Sequence, residues 1–132
     1  MKTSYFGNKN LKSVNAPGIA ICRKVPDWFN GWIYKELAPK WEMIRALKEG
    51  DITEEEFTQR YKNEILSNLD PLRVFNALGH NAILLCWEAP DKFCHRQLVA
   101  RWIEEEMGKK VPELETPAEK DYADLPGQIR IF

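Results

Sequence analysis

The stretch Ala82-Ile83-Leu84-Leu85-Cys86-Trp87-Glu88-Ala89-Pro90-Asp91-Lys92-Phe93-Cys94-His95-Arg96 runs from an unbroken apolar segment, through a proline-containing turn, into a helical pattern. Ala82 to Cys86 is apolar throughout, as a strand covered on both faces must be. From about Phe93 to Met107 the apolar residues Leu98, Val99, Trp102 and Ile103 recur on one side of a helix, with Gly108 as the stop. A buried strand feeding a helix through a short turn is half of a parallel β-α-β unit. This stretch therefore places the chain in the α/β class.

Working outward, a second buried strand is read at Gly18 to Cys22, and a weaker one at Lys2 to Phe6. Between the two firm strands lies a helical insert, about 34–79. Pro39 suits the first turn of a helix carrying Trp41, Ile44 and Leu47, which Gly50 ends. Thr53 with Glu56 forms a capping box ahead of Phe57, Tyr61 and Ile65. Asp70 and Pro71 open a third helix with Val74, Phe75 and Leu78 inward, and Gly79 follows its end. From about 109 to 132 the chain reads as an extended, proline-containing segment crossing the surface to an edge strand at Gln128 to Phe132. The expected architecture is one Rossmann-like three-layer domain over 1–132, with a short, mainly parallel sheet.

Composition narrows the function classes. The chain has 132 residues, 44% of them apolar, and five tryptophans, enough for a single buried core. A net charge of -1 gives no global reason to bind nucleic acid or an anionic membrane, so a basic patch has to be local. No segment approaches the roughly 20 apolar residues that span a bilayer, and the N-terminus lacks a signal-peptide core. A cytoplasmic protein is the expectation. Three irregularly spaced cysteines argue against a disulfide framework and for free thiols.

In open parallel sheets, ligands bind beyond the carboxyl ends of the strands. If the two firm strands are neighbours, one edge gathers Cys22, Arg23, Cys86, Glu88, Cys94, His95 and Arg96. At a helix start, Cys94 gains thiolate character from the macrodipole and from His95 and Arg96, which makes it a candidate nucleophile. Equally, Cys94, Leu98 and Trp102 fall at i, i+4 and i+8, the spacing of a buried apolar stripe. Glu88 is a candidate general base or the orienter of His95. Arg96 suits a phosphate or carboxylate, and Arg23 the same ligand. Cys86, at the strand end, is a further candidate ligand contact, and a small thiol also packs well there as core. Trp28, in an aromatic loop after the first firm strand, offers a stacking face, and Tyr34 reaches the same cleft. The commoner role for such aromatics is to cover a core.

No cofactor is expected and no metal: Cys22, Cys86, Cys94 and His95 are suitable donors, but there is no Cys-x-x-Cys knuckle, and adjacent residues rarely share an ion. Three functions fit the motif. One is an enzyme acting on an anionic small molecule, a nucleotide or a nucleic acid. Another is a non-catalytic phosphate or nucleic-acid binding module. The third is a buried structural network in which Arg96 pairs with Glu88.

The segment Leu84-Leu-Cys-Trp-Glu88, followed by Cys94-His-Arg96 and an apolar helix, resembles the signature of domain-of-unknown-function family 488. Its members show a Leu-Leu-Cys-x-Glu strand and a Cys-His-Arg helix start. Arg23 and Tyr34-Lys-Glu-Leu-Ala-Pro39 add to the resemblance, which runs from the N-terminal Thr3-Ser-Tyr-Phe6 to Met107. The resemblance implies a small α/β protein with a Rossmann-like sheet, carries Arg23, Cys86, Glu88, Cys94, His95 and Arg96 as motif positions, and strengthens a functional reading of Cys94-His95-Arg96. Cys22 falls where the family shows no cysteine.

Overall fold

The computed structural model describes residues 1–117. Four strands, β1 (Lys2–Tyr5), β2 (Gly18–Ala20), β3 (Trp32–Ile33) and β4 (Ile83–Cys86), form one sheet in the order β1-β4-β2-β3. Every pairing is parallel. All four carboxyl ends therefore lie along one edge. β4 is central and buried along its whole length, as its unbroken apolar run requires. Its register sets Cys86 beside Tyr5 and Leu85 beside Ala20. The two firm strands are thus neighbours, and the edge forms as the parallel pairing demands.

The helices are α1 (Trp41–Lys48), α2 (Glu54–Glu64), α3 (Pro71–Leu78) and α4 (His95–Met107). α4 packs across β1 and β4, with α2 and α3 against it. Thr53 and Glu56 make both bonds of the capping box. Asp70 caps α3 with Pro71 at its first position. Gly108 ends α4 in the left-handed conformation that costs glycine nothing.

Several expectations need correction. β2 stops at Ala20, although Ile21 still donates to Leu85. α1 starts at Trp41 with Lys40 as N-cap, leaving Pro39 outside, and Trp41 is exposed while Met43 takes the inward place. Trp32, the last residue of the aromatic loop after β2, and Ile33 form the edge strand β3, which the sequence pattern did not reveal. That edge needs Gly31, where a Cβ would lie 2.7 Å from the Phe29 ring and 2.9 Å from the Gly18 carbonyl. α4 begins at His95, with Cys94 as its N-cap.

The segment after α4 does not simply cross the surface. Thr3 donates to the Pro112 carbonyl and Leu114 donates to Thr3, so Glu113 bridges the outer edge of β1. Val111 and Leu114 are buried beneath it. Glu104 accepts from the Val111 amide at 2.8 Å. The strand expected at Gln128 to Phe132 lies outside the described residues.

Candidate functional site

Cys86 ends β4, and the Trp87–Phe93 turn returns the chain to Cys94 at the head of α4. Cys94 has extended backbone angles, and its side chain caps no amide. Instead its sulfur is in contact with that of Cys86. This corrects the expectation of three separate thiols: Cys86 and Cys94 form a pair, while Cys22 stays apart. The Cys22 sulfur contacts the Lys24 carbonyl, and burial pushes its thiol up to about 12.

His95 occupies the first turn of α4 and is fully buried. Its Nε2 lies 2.6 Å from the carbonyl of Ile21, just past the end of β2. A carbonyl can only accept, so Nε2 carries the proton and donates it. In the neutral ring Nδ1 then presents a lone pair, 3.9 Å from the Cys94 sulfur. Burial first, and the nearby Arg96 charge after it, hold the imidazole down at about 4 against the pull of the Ile21 bond, so the neutral ring dominates at physiological pH. The Tyr61 ring stands edge-on to it, with its hydroxyl donating to the Leu37 carbonyl at 2.6 Å.

Arg96 is also fully buried, and protein groups surround its guanidinium. Nη1 donates to the Cys86 sulfur at 3.0 Å and to the Glu88 carbonyl at 2.7 Å. Nε and Nη2 form a fork onto the two carboxylate oxygens of Glu113, at 3.1 and 2.9 Å. Thr3 donates to the same carboxylate at 2.6 Å, and the Tyr5 ring lies below the guanidinium, 5.9 Å from ring centre to Cζ. The network expected around Arg96 therefore exists with a different acid: Glu88 gives its carbonyl, and Glu113 gives the carboxylate. Nothing in a proline-containing, acid-rich stretch distinguished Glu113, apart from its place between Val111 and Leu114.

The remaining candidates lie around this cluster. The Glu88 side chain is buried. Arg23 is exposed and anchored by Nε to the Pro39 carbonyl at 2.9 Å. Trp87 donates to the Lys24 carbonyl at 2.7 Å, tying the turn before α4 to the loop after β2. Trp28 is 64% exposed, in edge contact with Phe6, whose amide donates to the Cys86 carbonyl. Tyr34 is buried and packs edge-on against Trp32, at the end of β3.

A cavity of about 530 Å³ opens at the carboxyl end of β1, between Phe6, Asn8, Lys9, Leu11, Lys12 and Trp28. Its size falls in the range of small-molecule sites. A smaller one of about 220 Å³, between the end of α2 and α4, includes none of the cluster residues. One donor atom each from Cys86, Cys94 and His95 lies within 4.8 Å of the others, the grouping among the described residues that could hold a metal ion. No helix among the described residues is long and apolar enough to cross a membrane.

The family model described as the Active DUF488-N3 subclade matches residues 11–107. No curated protein and no solved structure matches the chain.

Proposed function

The chain belongs to the DUF488 family, within its DUF488-N3 subclade, and on that premise we propose that it is an enzyme acting on an anionic small molecule, a nucleotide or a nucleic acid. The reacting centre is the buried group Cys86, Cys94 and His95. One observation carries this reading: the Ile21 carbonyl fixes the proton of His95 on Nε2, so that Nδ1 is turned as an electron-pair donor towards the Cys94 sulfur. The same bond satisfies the ring N–H that burial takes from water, and it leaves the other nitrogen facing the sulfur. The description of the subclade as active agrees with it.

In this reading Arg96 is a positioning residue. Its donors are engaged by Cys86, Glu88 and Glu113, which leaves recognition of substrate charge to the outer rim. Arg23 supplies an exposed guanidinium there, and Trp28 a flat face beside the cavity with Lys9 and Lys12. The reacting atoms are buried, and the Trp87–Phe93 turn is the segment that joins Cys86 to Cys94. A substrate reaches them when that turn swings out, at the cost of the Trp87 bond to Lys24 and the Gln97 bond to Lys92.

The test is a panel of nucleoside mono-, di- and triphosphates, sugar phosphates and a single-stranded oligonucleotide, incubated with the wild-type chain and with Cys94→Ser and followed by mass spectrometry. A product formed by the wild type and absent with the folded variant is the expected result. Equal conversion by Cys94→Ser, or binding without conversion of any compound, favours a non-catalytic module instead.

A further inference from the structure

We infer that Cys86, Cys94 and His95 form a three-ligand site for a thiophilic divalent cation of the zinc type, with a fourth position left for water or substrate. The inference takes its place from the reacting centre proposed above, but stands on geometry that does not depend on turnover.

Three independent features converge. The donor atoms are two sulfurs and one imidazole nitrogen, all buried and all within 4.8 Å of one another. That is the donor chemistry zinc selects: two cysteines, one histidine and an open fourth position describe one kind of catalytic zinc centre. The orientation of His95 is the second feature. A metal-binding histidine typically donates its other ring N–H to a carbonyl or carboxylate, which fixes the tautomer and aims the lone pair. The Ile21 carbonyl does this at 2.6 Å.

The third feature is the spacing of the backbone. The Cα atoms of Cys86 and Cys94 stand 7.6 Å apart, beyond the roughly 7 Å that a disulfide spans without backbone movement. Both sulfurs converge on one point from that separation, placed to be joined to each other when oxidised and to share a cation when reduced. Charge agrees as well. Two thiolates offset a divalent cation, and Glu113 offsets Arg96. Arg96 Nη1 donates to the Cys86 sulfur at 3.0 Å and holds it in place at the end of β4.

Sequence spacing concealed this site. Adjacent residues seldom bind one ion, because successive side chains on a helix point apart. Here Cys94 is not yet helical: its extended N-cap conformation turns the sulfur back towards β4, while His95 starts the helix. In the proposed site Cys94 and His95 therefore face one ion despite being neighbours in sequence.

The experiment measures the zinc content of wild-type protein, purified under reducing conditions without chelator, by elemental analysis, then titrates the chelated apoprotein with Zn²⁺ alone. One zinc per chain is expected. Cobalt substitution should give the intense thiolate-to-cobalt absorption of a tetrahedral sulfur site. Cys94→Ser should weaken Zn²⁺ binding by more than the roughly 10–100-fold that loss of an outer partner causes, and Cys22→Ser should leave it unchanged. Wild-type protein that binds no Zn²⁺ when reduced, or that loses two hydrogens' mass as a Cys86–Cys94 disulfide and cannot be metallated after reduction, overturns the site. So does a folded Cys22→Ser variant that binds no Zn²⁺. These outcomes are read on the wild type or on a variant away from the cluster, so misfolding of Cys94→Ser cannot obscure them. Reduced protein that binds no Zn²⁺ but still converts a substrate through Cys94 would reject the cation and keep the enzyme.

Discussion

Arg96 and Arg60 each fork onto a glutamate of similar exposure, 29% and 28%, but the two guanidiniums sit in opposite surroundings. Arg96 meets Glu113 under the sheet edge with its own side chain wholly enclosed, and it also holds Cys86 and Glu88. Arg60 meets Glu64 on the outer face of α2, where Glu42 and Lys40 complete an exposed cluster. The geometry is similar, with closest contacts of 2.9 Å and 2.7 Å. Solvent makes the difference. Water takes over the partners of a surface charge as soon as they leave, whereas a buried guanidinium without its carboxylate has nothing to replace it.

The sharpest way to break that comparison is Arg96→Ala. Removing the buried cation should cost on the order of 3–5 kcal/mol in chemical denaturation, and Arg96→Lys should recover little, because an ammonium cannot reproduce the fork. Glu113→Ala should cost somewhat less, since its side chain is 29% exposed, and the double variant should be less destabilised than the two single losses combined. A cost for Arg96→Ala no larger than that of Arg60→Ala would show that the enclosure is not closed to water.

Next in size is Tyr61→Phe. It leaves the Leu37 carbonyl without its donor beside the buried histidine, a loss of about 1–3 kcal/mol that thermal unfolding would register. Thr53→Ala removes the capping box at the head of α2 and should cost about 1 kcal/mol, which places a local, solvent-facing bond below both buried ones.

The smallest effect belongs to the exposed pair. Glu64→Gln should barely move the melting temperature at neutral pH, and added salt should erase what difference there is. Its pH dependence is the finer probe. Hydrogen bonds from Arg60, then Lys40, pull the Glu64 carboxyl down from 4.5 to about 2. A carboxylate held low in the folded state stabilises it above its unfolded value, and that contribution disappears as pH falls through the folded one. The wild type and Glu64→Gln should therefore keep a constant offset above about pH 5 and converge between about pH 4.5 and 2. An offset that widens on acidification would contradict the assignment.

The sequence made local patterns legible and left long-range pairings hidden. β4, α4 and the caps at Thr53, Asp70 and Gly108 follow from runs, periods and single residue types, all of which act within a few positions. β3 escaped because two residues of an aromatic loop carry no period. In the cluster, Cys86, Cys94, His95 and Arg96 stood out by composition and by the strand-to-helix turn. Glu113 and the Ile21 carbonyl did not. One is an ordinary acid among acids, the other a backbone atom that every residue possesses, and both matter only through where the sheet brings them.

The bridge between Thr3 and Glu113 ties together positions separated by 110 residues, with Asn8 holding the Glu115 carbonyl beside it. Closing so long a loop has to await the contacts that reward it. On a ribosome, β4 and α4 can emerge and pack while Arg96 still lacks its carboxylate. The guanidinium then remains a penalty inside a half-made domain, until residue 113 arrives to clasp the first strand. The reactive cluster is thereby finished late in synthesis, and an incomplete chain carries its sulfurs without the clasp that sets them.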